Sequence, residues 1–466
     1  MSHAVIKKVF AHVVLVGAAT ISQLCLALPS RDCGPSGPAT AAITPPAAGI
    51  DAAIRNDVLR ALARELESGY AVESTANKLA ALVRARQKAN AYKNITSAPE
   101  FARALTHDLY AVAHDKHLQV NFSLAPLPQG TPGPLSKEML DKLRKSNGSI
   151  PKVEILDGNV GYMRVNGVPP VEVAHEAVAA AFAFLHNTDA LIIDDRQNGG
   201  GDPHTVALHV SYLSQGQPYV VNTFHWRSGN RVEEFRTTDL GGLSYGAQKP
   251  VFVLTSPATF SGGEELAYDL QVFKRALIVG EVTGGGANPG GPISLGHQFV
   301  VRLPGGQAVN PVTGTSWEGV GVQPDIPTSS EAAFSKAHAL AVDRLAADAS
   351  DPMQRSTLDA IAMKLQSIAE ADSGSASRLA NAQIGGTYIS PVGPGFPVTI
   401  LEKDGRLVQH VDGSPDVELV FLKGNRYRCQ GEDFPEGWIS SFRDRDGRTE
   451  LLLESPIGTP RLFQKQ

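Results

Sequence analysis

Three stretches of this chain combine residue types that can do chemistry. In Thr259-Phe260-Ser261-Gly262-Gly263-Glu264-Glu265 a serine follows an apolar run at 251–254 and opens a helix-like segment reaching about residue 274. A serine there stands at a helix N-terminus, where unpaired amides and the helix dipole favour developing negative charge, as acyl transfer to a hydroxyl requires. Serine is also a favoured helix cap, and Ser-Gly-Gly-Glu is a loose capping signal, so these residues alone admit both a nucleophile and a cap. In Arg196-Gln197-Asn198-Gly199-Gly200-Gly201-Asp202 three glycines follow an apolar run. They permit a backbone path closed to other residues and expose amides able to hold an oxyanion, although a plain flexible turn has the same composition. The spacing lacks the Lys-Ser/Thr of a phosphate loop and the G-x-G-x-x-G of a dinucleotide site, which argues against a nucleotide. In His114-Asp115-Lys116-His117-Leu118-Gln119-Val120 a histidine stands where a helical pattern gives way to alternation. One of thirteen histidines, His117 reads on position alone as an ordinary surface or core residue.

The elements that must position these residues alternate in type. Residues 49–120 predict a helical subdomain of about three helices, with Val58, Leu59, Leu62 and Leu66, then Ala76, Leu79, Leu82 and Val83, recurring at three and four. A Pro near the first turn of a third helix follows, through Phe101, Leu105 and Leu109. Residues 151–330 predict an α/β core. A hairpin at 153–156 and 160–165 turns on Asp157-Gly158-Asn159, a helix spans 171–185, and a buried strand spans 190–195. Strands at 250–254, 276–280 and 298–303 follow, with the Ser261 helix between the first two. The glycine-dense segment 283–291 is expected to line the cleft near Ser261. Residues 331–372 return to helical periodicity, and 385–466 alternate short apolar runs with Gly, Asp and Asn turns, the pattern of a small antiparallel β domain.

Length and composition bound the partners. At 466 residues the chain exceeds one compact core, and with 42% hydrophobic and 19% charged residues and a net charge of -5 it has no basic surplus for nucleic acid or an anionic membrane. Lys7 and Lys8 precede an apolar run at 9–28, read as a secretory signal peptide, with no stable membrane insertion once it is removed; a retained anchor is the alternative. Leu24 sits where lipidation at Cys25 would want a small residue. Residues 29–48 read as a Pro- and Ala-rich linker. Cleavage near Ala27 would leave Cys33 and Cys429, which an oxidising compartment permits to pair.

Taken in order, Arg196-x-Asn198-x-Gly200-Gly201, Ser261-x-x-Glu264, Ala276-x-x-Val279-Gly280-Glu281-x-Thr283-Gly284-Gly285 and Gly319-x-Gly321-Val322-x-Pro324-Asp325 resemble the tail-specific, or C-terminal-processing, serine peptidases. The likeness covers roughly residues 50–330. It implies a spiral α/β core of the crotonase and Clp-peptidase kind, a nucleophile on a helix N-terminus, a peptide or protein substrate and no cofactor or metal. One departure stands out. Members of that family use a lysine base 25 positions after the serine, and Gly286 occupies that position here. Relatives without the lysine, the tricorn core protease and the modules of interphotoreceptor retinoid-binding protein, also lack an inserted PDZ domain. This chain is similar, with only a short Pro-, Gly-, Ser- and Lys-rich segment between Val120 and Val153. The resemblance to the tricorn core maps its histidine onto His117 and its glutamate onto Glu318.

The expectation is therefore an exported serine peptidase with Ser261 as nucleophile, His117 as base and Glu318 orienting the imidazole. The oxyanion would be held by the Gly262 amide and one amide from Gly199 or Gly200. The competing expectation is a non-catalytic module of the same fold that binds an apolar small ligand.

Overall fold

The computed structural model describes residues 49–123, 136–373, 378–392, 396–431, 434–456 and 458–466. The signal and linker segments, and Cys33 with them, lie outside the described residues. The helical periodicity near the N-terminus resolves into α1 (Ala52–Gly69), α2 (Glu73–Lys88) and α3 (Ala98–Ala113). The first begins where the Asp51 carboxylate accepts from the Ile54 amide, and the third carries Pro99 in its first turn, where a missing N–H costs nothing. Their apolar stripes, among them Leu62, Leu66, Leu79, Phe101 and Leu105, bury against Phe299, Val301 and Leu303. The third helix ends at His114, an exposed residue in the left-handed region (φ 53°), and that turn delivers the chain into β1 (Gln119–Phe122).

The core follows. It comprises α4 (Lys137–Lys145), β2 (Lys152–Leu156), β3 (Val160–Arg164), α5 (Val171–Leu185), β4 (Ala190–Asp194), α6 (Pro203–Tyr212), β5 (Val220–Trp226), β6 (Arg231–Arg236), β7 (Val251–Thr255), α7 (Gly262–Val272) and β8 (Leu277–Gly280). Beyond these lie β9 (Gly290–Gly296), β10 (Phe299–Pro304), β11 (Gly306–Val309) and β12 (Ile326–Pro327). The central sheet has the order β12-β8-β7-β4-β3-β2, parallel apart from the β2–β3 hairpin. Leu191, Ile193, Val251 and Val253 face a core built with α5, α6 and α7. Ile192, Phe252 and Leu254 face the opposite core, built with α8 (Ala333–Asp348) and α9 (Pro352–Ser373). Two covered faces explain why β4 and β7 are unbroken apolar runs. At roughly 25 cal/mol per Å² of apolar surface buried, such a sandwich is the main hydrophobic contribution to the core.

Two smaller sheets flank it. One has the order β1-β10-β9, and pairing of Gln119 with Arg302 anchors the strand that follows His117. The other, β11-β5-β6, was not expected from sequence, and neither was α6: residues 203–249 mix apolar and polar residues without a sustained period.

After the short α10 (Asn381–Ile384) the C-terminal strands close into an eight-stranded antiparallel barrel. These are β13 (Gly386–Ile389), β14 (Val398–Lys403), β15 (Arg406–His410), β16 (Val417–Lys423), β17 (Arg426–Gln430), β18 (Ile439–Arg445), β19 (Arg448–Glu454) and β20 (Arg461–Lys465). The β13–β20 pairing removes both free edges. Cys429 is a buried free thiol inside it, 3.2 Å from the Ser440 hydroxyl. No helix of the described residues is long and apolar enough to cross a membrane.

Candidate active site

The glycine turn and the serine turn leave the carboxyl ends of β4 and β7, which are hydrogen-bonded parallel neighbours. Ligand sites of open parallel sheets form at such ends. Three bonds stitch the turns together: Phe260 N to Asn198 O (2.9 Å), Thr259 Oγ1 to Asp195 O (2.9 Å) and Ser256 Oγ to Arg196 O (2.6 Å).

Ser261 adopts φ 55°, ψ -123°, a conformation sparsely populated by residues with a Cβ, and its hydroxyl makes no capping hydrogen bond. The capping signal is used in one direction only. Glu264 accepts from the Ser261 amide (2.9 Å), the Gly286 amide (2.8 Å), the Gly285 amide (2.5 Å) and the Thr283 hydroxyl (2.5 Å). This buried carboxylate thus clamps the serine turn to the glycine segment that follows β8. Burial pushes its carboxyl up, against the pull of those four donors.

Gly200 lies against the serine: a Cβ on it would fall 2.6 Å from Gly262 N, 2.7 Å from Ser261 Cβ and 2.8 Å from Phe260 O. With φ +94° the position needs glycine twice over. Its own amide donates to Asn198 Oδ1 (2.9 Å), so of the two expected oxyanion donors in this turn Gly200 already has an acceptor. Asn198 is in turn held by Asp195 Oδ1 (2.7 Å).

His117 is 4% exposed and its ring lies 4.6 Å, centroid to centroid, from Phe260, the residue before the serine. Its Nδ1 is buried without a hydrogen-bond partner. Burial, followed by the Arg302 charge, lowers its pKa to about 4. Glu318 Oε2 accepts from the amides of Ala287 (2.6 Å) and Asn288 (2.9 Å), and Trp317 beside it is pinned by Nε1 to Gly286 O (2.9 Å). Burial and then the neighbouring Asp115 push Glu318 up to about 7. One ligand-type atom from each of Asp115, His117 and Glu318 lies within 4.8 Å of the others, the one such trio among the described residues. A metal ion taken there would occupy an imidazole nitrogen.

The glycine in the lysine position has a steric reason. A Cβ on Gly286 would fall 2.4 Å from two Phe260 ring atoms and 3.0 Å from His117 Cε1, so the imidazole and its backing ring fill the space a lysine would enter. His107 and His114, by contrast, are exposed. Sequence reasoning missed Asp115, Phe260 and the full role of Glu264. The Asp-x-His spacing was the available signal for the first; Glu264 read only as a cap, because its other three donors come from a distant segment.

Residues 159–328 match the model of peptidase family S41, and residues 52–147 match the model described as the N-terminal domain of Peptidase_S41 in eukaryotic IRBP; together they span more than half of the chain. The chain belongs to peptidase family S41. A carboxy-terminal-processing protease of Bartonella bacilliformis is 30% identical over 178 residues, which cover 37% of this chain and 39% of that relative. Among solved structures, a lipoprotein from Streptococcus agalactiae aligns at 15% identity and TM-score 0.43, covering 62% of this chain and 96% of its own. The tricorn protease aligns at 12% identity and TM-score 0.41, covering 67% of this chain and 37% of its own.

Proposed function

We propose that this S41 family member is an exported serine peptidase that cleaves peptide bonds through an acyl-enzyme on Ser261. The observation that carries the reading is the convergence of a buried histidine, His117, and a half-buried glutamate, Glu318, beside the strained turn that presents Ser261. The Ser261 hydroxyl attacks the scissile carbonyl while His117 takes its proton and later delivers it to the leaving amine. Glu318 holds the tautomer of the imidazole and stabilises the imidazolium formed in that step. The oxyanion is received by the Gly262 amide, at the start of α7, and by an amide of the glycine turn. Commitment of the Gly200 amide to Asn198 favours Gly199 within that turn.

Export rests on the charged and apolar segment at residues 1–28. The Bartonella bacilliformis relative is a carboxy-terminal-processing protease, which supports a peptide or protein substrate here as well. The test is incubation of purified protein, and of its Ser261→Ala variant, with a peptide library read by mass spectrometry. Cleavage by the first and not the second supports the reading. Absence of cleavage by both, with an apolar molecule retained stoichiometrically through purification, would favour a binding module of the same fold.

A further inference from the structure

Asp115 is 1% exposed and ionisable, and it lies two residues before the base. Its Oδ1 accepts from the His117 amide (2.9 Å), and its Oδ2 from the Tyr70 hydroxyl (3.0 Å) and, at 3.5 Å, from Asn288 Nδ2. The Asn288 backbone amide in turn donates to Glu318, so one residue bridges the two acids. A turn of this kind is served equally well by a neutral asparagine, which carries no desolvation cost for a charge. We propose that Asp115 is a positioning residue for the reaction: a second carboxylate that fixes the backbone of His117 and shares the imidazole's surroundings with Glu318, supporting positive charge on the ring as the proton is taken from Ser261. The inference rests on His117 being the base.

The other charged groups near this imidazole are Glu318, Arg302, whose charge opposes protonation, and Glu264, which holds the amide of the adjoining Gly286. Lys116 turns its ammonium to Gly284 O (2.5 Å). Removing the Asp115 charge lowers the proton affinity of both His117 and Glu318, so the direction of the effect is the same whichever of them governs activity.

The experiment is the pH profile of kcat and KM for the whole protein, for Asp115→Asn and for Tyr70→Phe. Asp115→Asn keeps the acceptor for the His117 amide and loses the charge. It should lower kcat by roughly ten- to a hundredfold, less than the loss of a general base, with KM little changed. The acidic limb of the profile should move to lower pH by about one unit. Tyr70→Phe removes a donor that stabilises the ionised acid, so its limb should move in the same direction, to lower pH, by a smaller amount; this second variant keeps the proposal testable if Asp115→Asn does not fold. A normal limb in either folded variant overturns the positioning role. Full activity in His117→Ala would instead overturn the base assignment, and the two failures are distinguishable.

Discussion

The ring of Phe260 lies 4.6 Å from the imidazole of His117, so the residue before the proposed nucleophile is also the wall against which the proposed base rests. Gly286 abuts both rings, and a Cβ on it would meet Phe260 and His117 alike. Gly286→Lys is therefore expected not to restore a serine–lysine pair. Overpacking against two rings should cost about 1–3 kcal/mol of stability and displace the imidazole. Urea midpoints and turnover check this; a stable, more active variant whose activity titrates in the lysine range would contradict it.

Activity in this account needs neutral His117 and ionised Glu318. His117 is lowered to about 4 and Glu318 raised to about 7, so the acidic limb of the rate profile should sit near 7 and belong to the carboxyl side of the site. The sequence alone places the limb at the ordinary histidine range of ~6 to 7; burial gives it a different carrier. Glu318→Gln should weaken turnover less than His117→Ala and flatten this limb, which steady-state kinetics from pH 4.5 to 8.5 at about half-unit steps would read.

Stability linkage separates the same two groups. A histidine lowered from 6.5 to about 4 resists protonation in the folded chain, so stability is lost as pH falls through that window. A glutamate raised from 4.5 to about 7 works oppositely, its contribution falling as pH rises from 4.5 to 7. His117→Ala should therefore gain on the wild type as pH falls from 6.5 to 4, by on the order of 3 kcal/mol at most. Chemical denaturation at both ends of the window measures it, and a constant difference between the two proteins would refute the burial of a neutral imidazole.

The clamp around Ser261 predicts a structural effect. Glu264→Ala leaves three backbone amides and the Thr283 hydroxyl without their acceptor, which should cost at least about 3 kcal/mol and loosen the Ser261 turn. An unchanged denaturation midpoint would show that the clamp is dispensable.

Gly200→Ala places a Cβ within 2.8 Å of backbone on the Ser261 turn, where no flexible side chain end can give way. Turnover is expected to fall by a factor of roughly 10²–10³, in the range of losing one oxyanion donor, while the sheet beneath it keeps the fold. Gly199→Ala, which meets nothing within 4 Å, should be nearly silent toward folding and turnover, since its amide persists. Equal turnover in both variants would remove the close approach as an explanation.

Much of this was legible in the sequence. The apolar runs of β4 and β7 announced buried parallel strands, the three-and-four spacing of Leu62 and Leu66 announced α1, and Gly, Asp and Asn turns marked the C-terminal strands. Closure of those strands into a barrel was not legible, because the β13–β20 pairing joins segments about 75 residues apart that carry no mutual signal. The same limit hid the site's finer parts. Glu264 looked like a cap and Asp115 drew no reading of its own, since their decisive partners, Gly285, Gly286 and Tyr70, come from elsewhere in the chain.

The central claim is that Ser261 is a nucleophile activated by His117. Treating the purified protein with a serine-directed fluorophosphonate and mapping the adduct by peptide mass tests it most directly. One adduct per chain on Ser261, lost in Ser261→Ala and strongly slowed in His117→Ala, is the expected result. Cleavage of peptides by protein that forms no adduct, or an adduct on another residue, would contradict it.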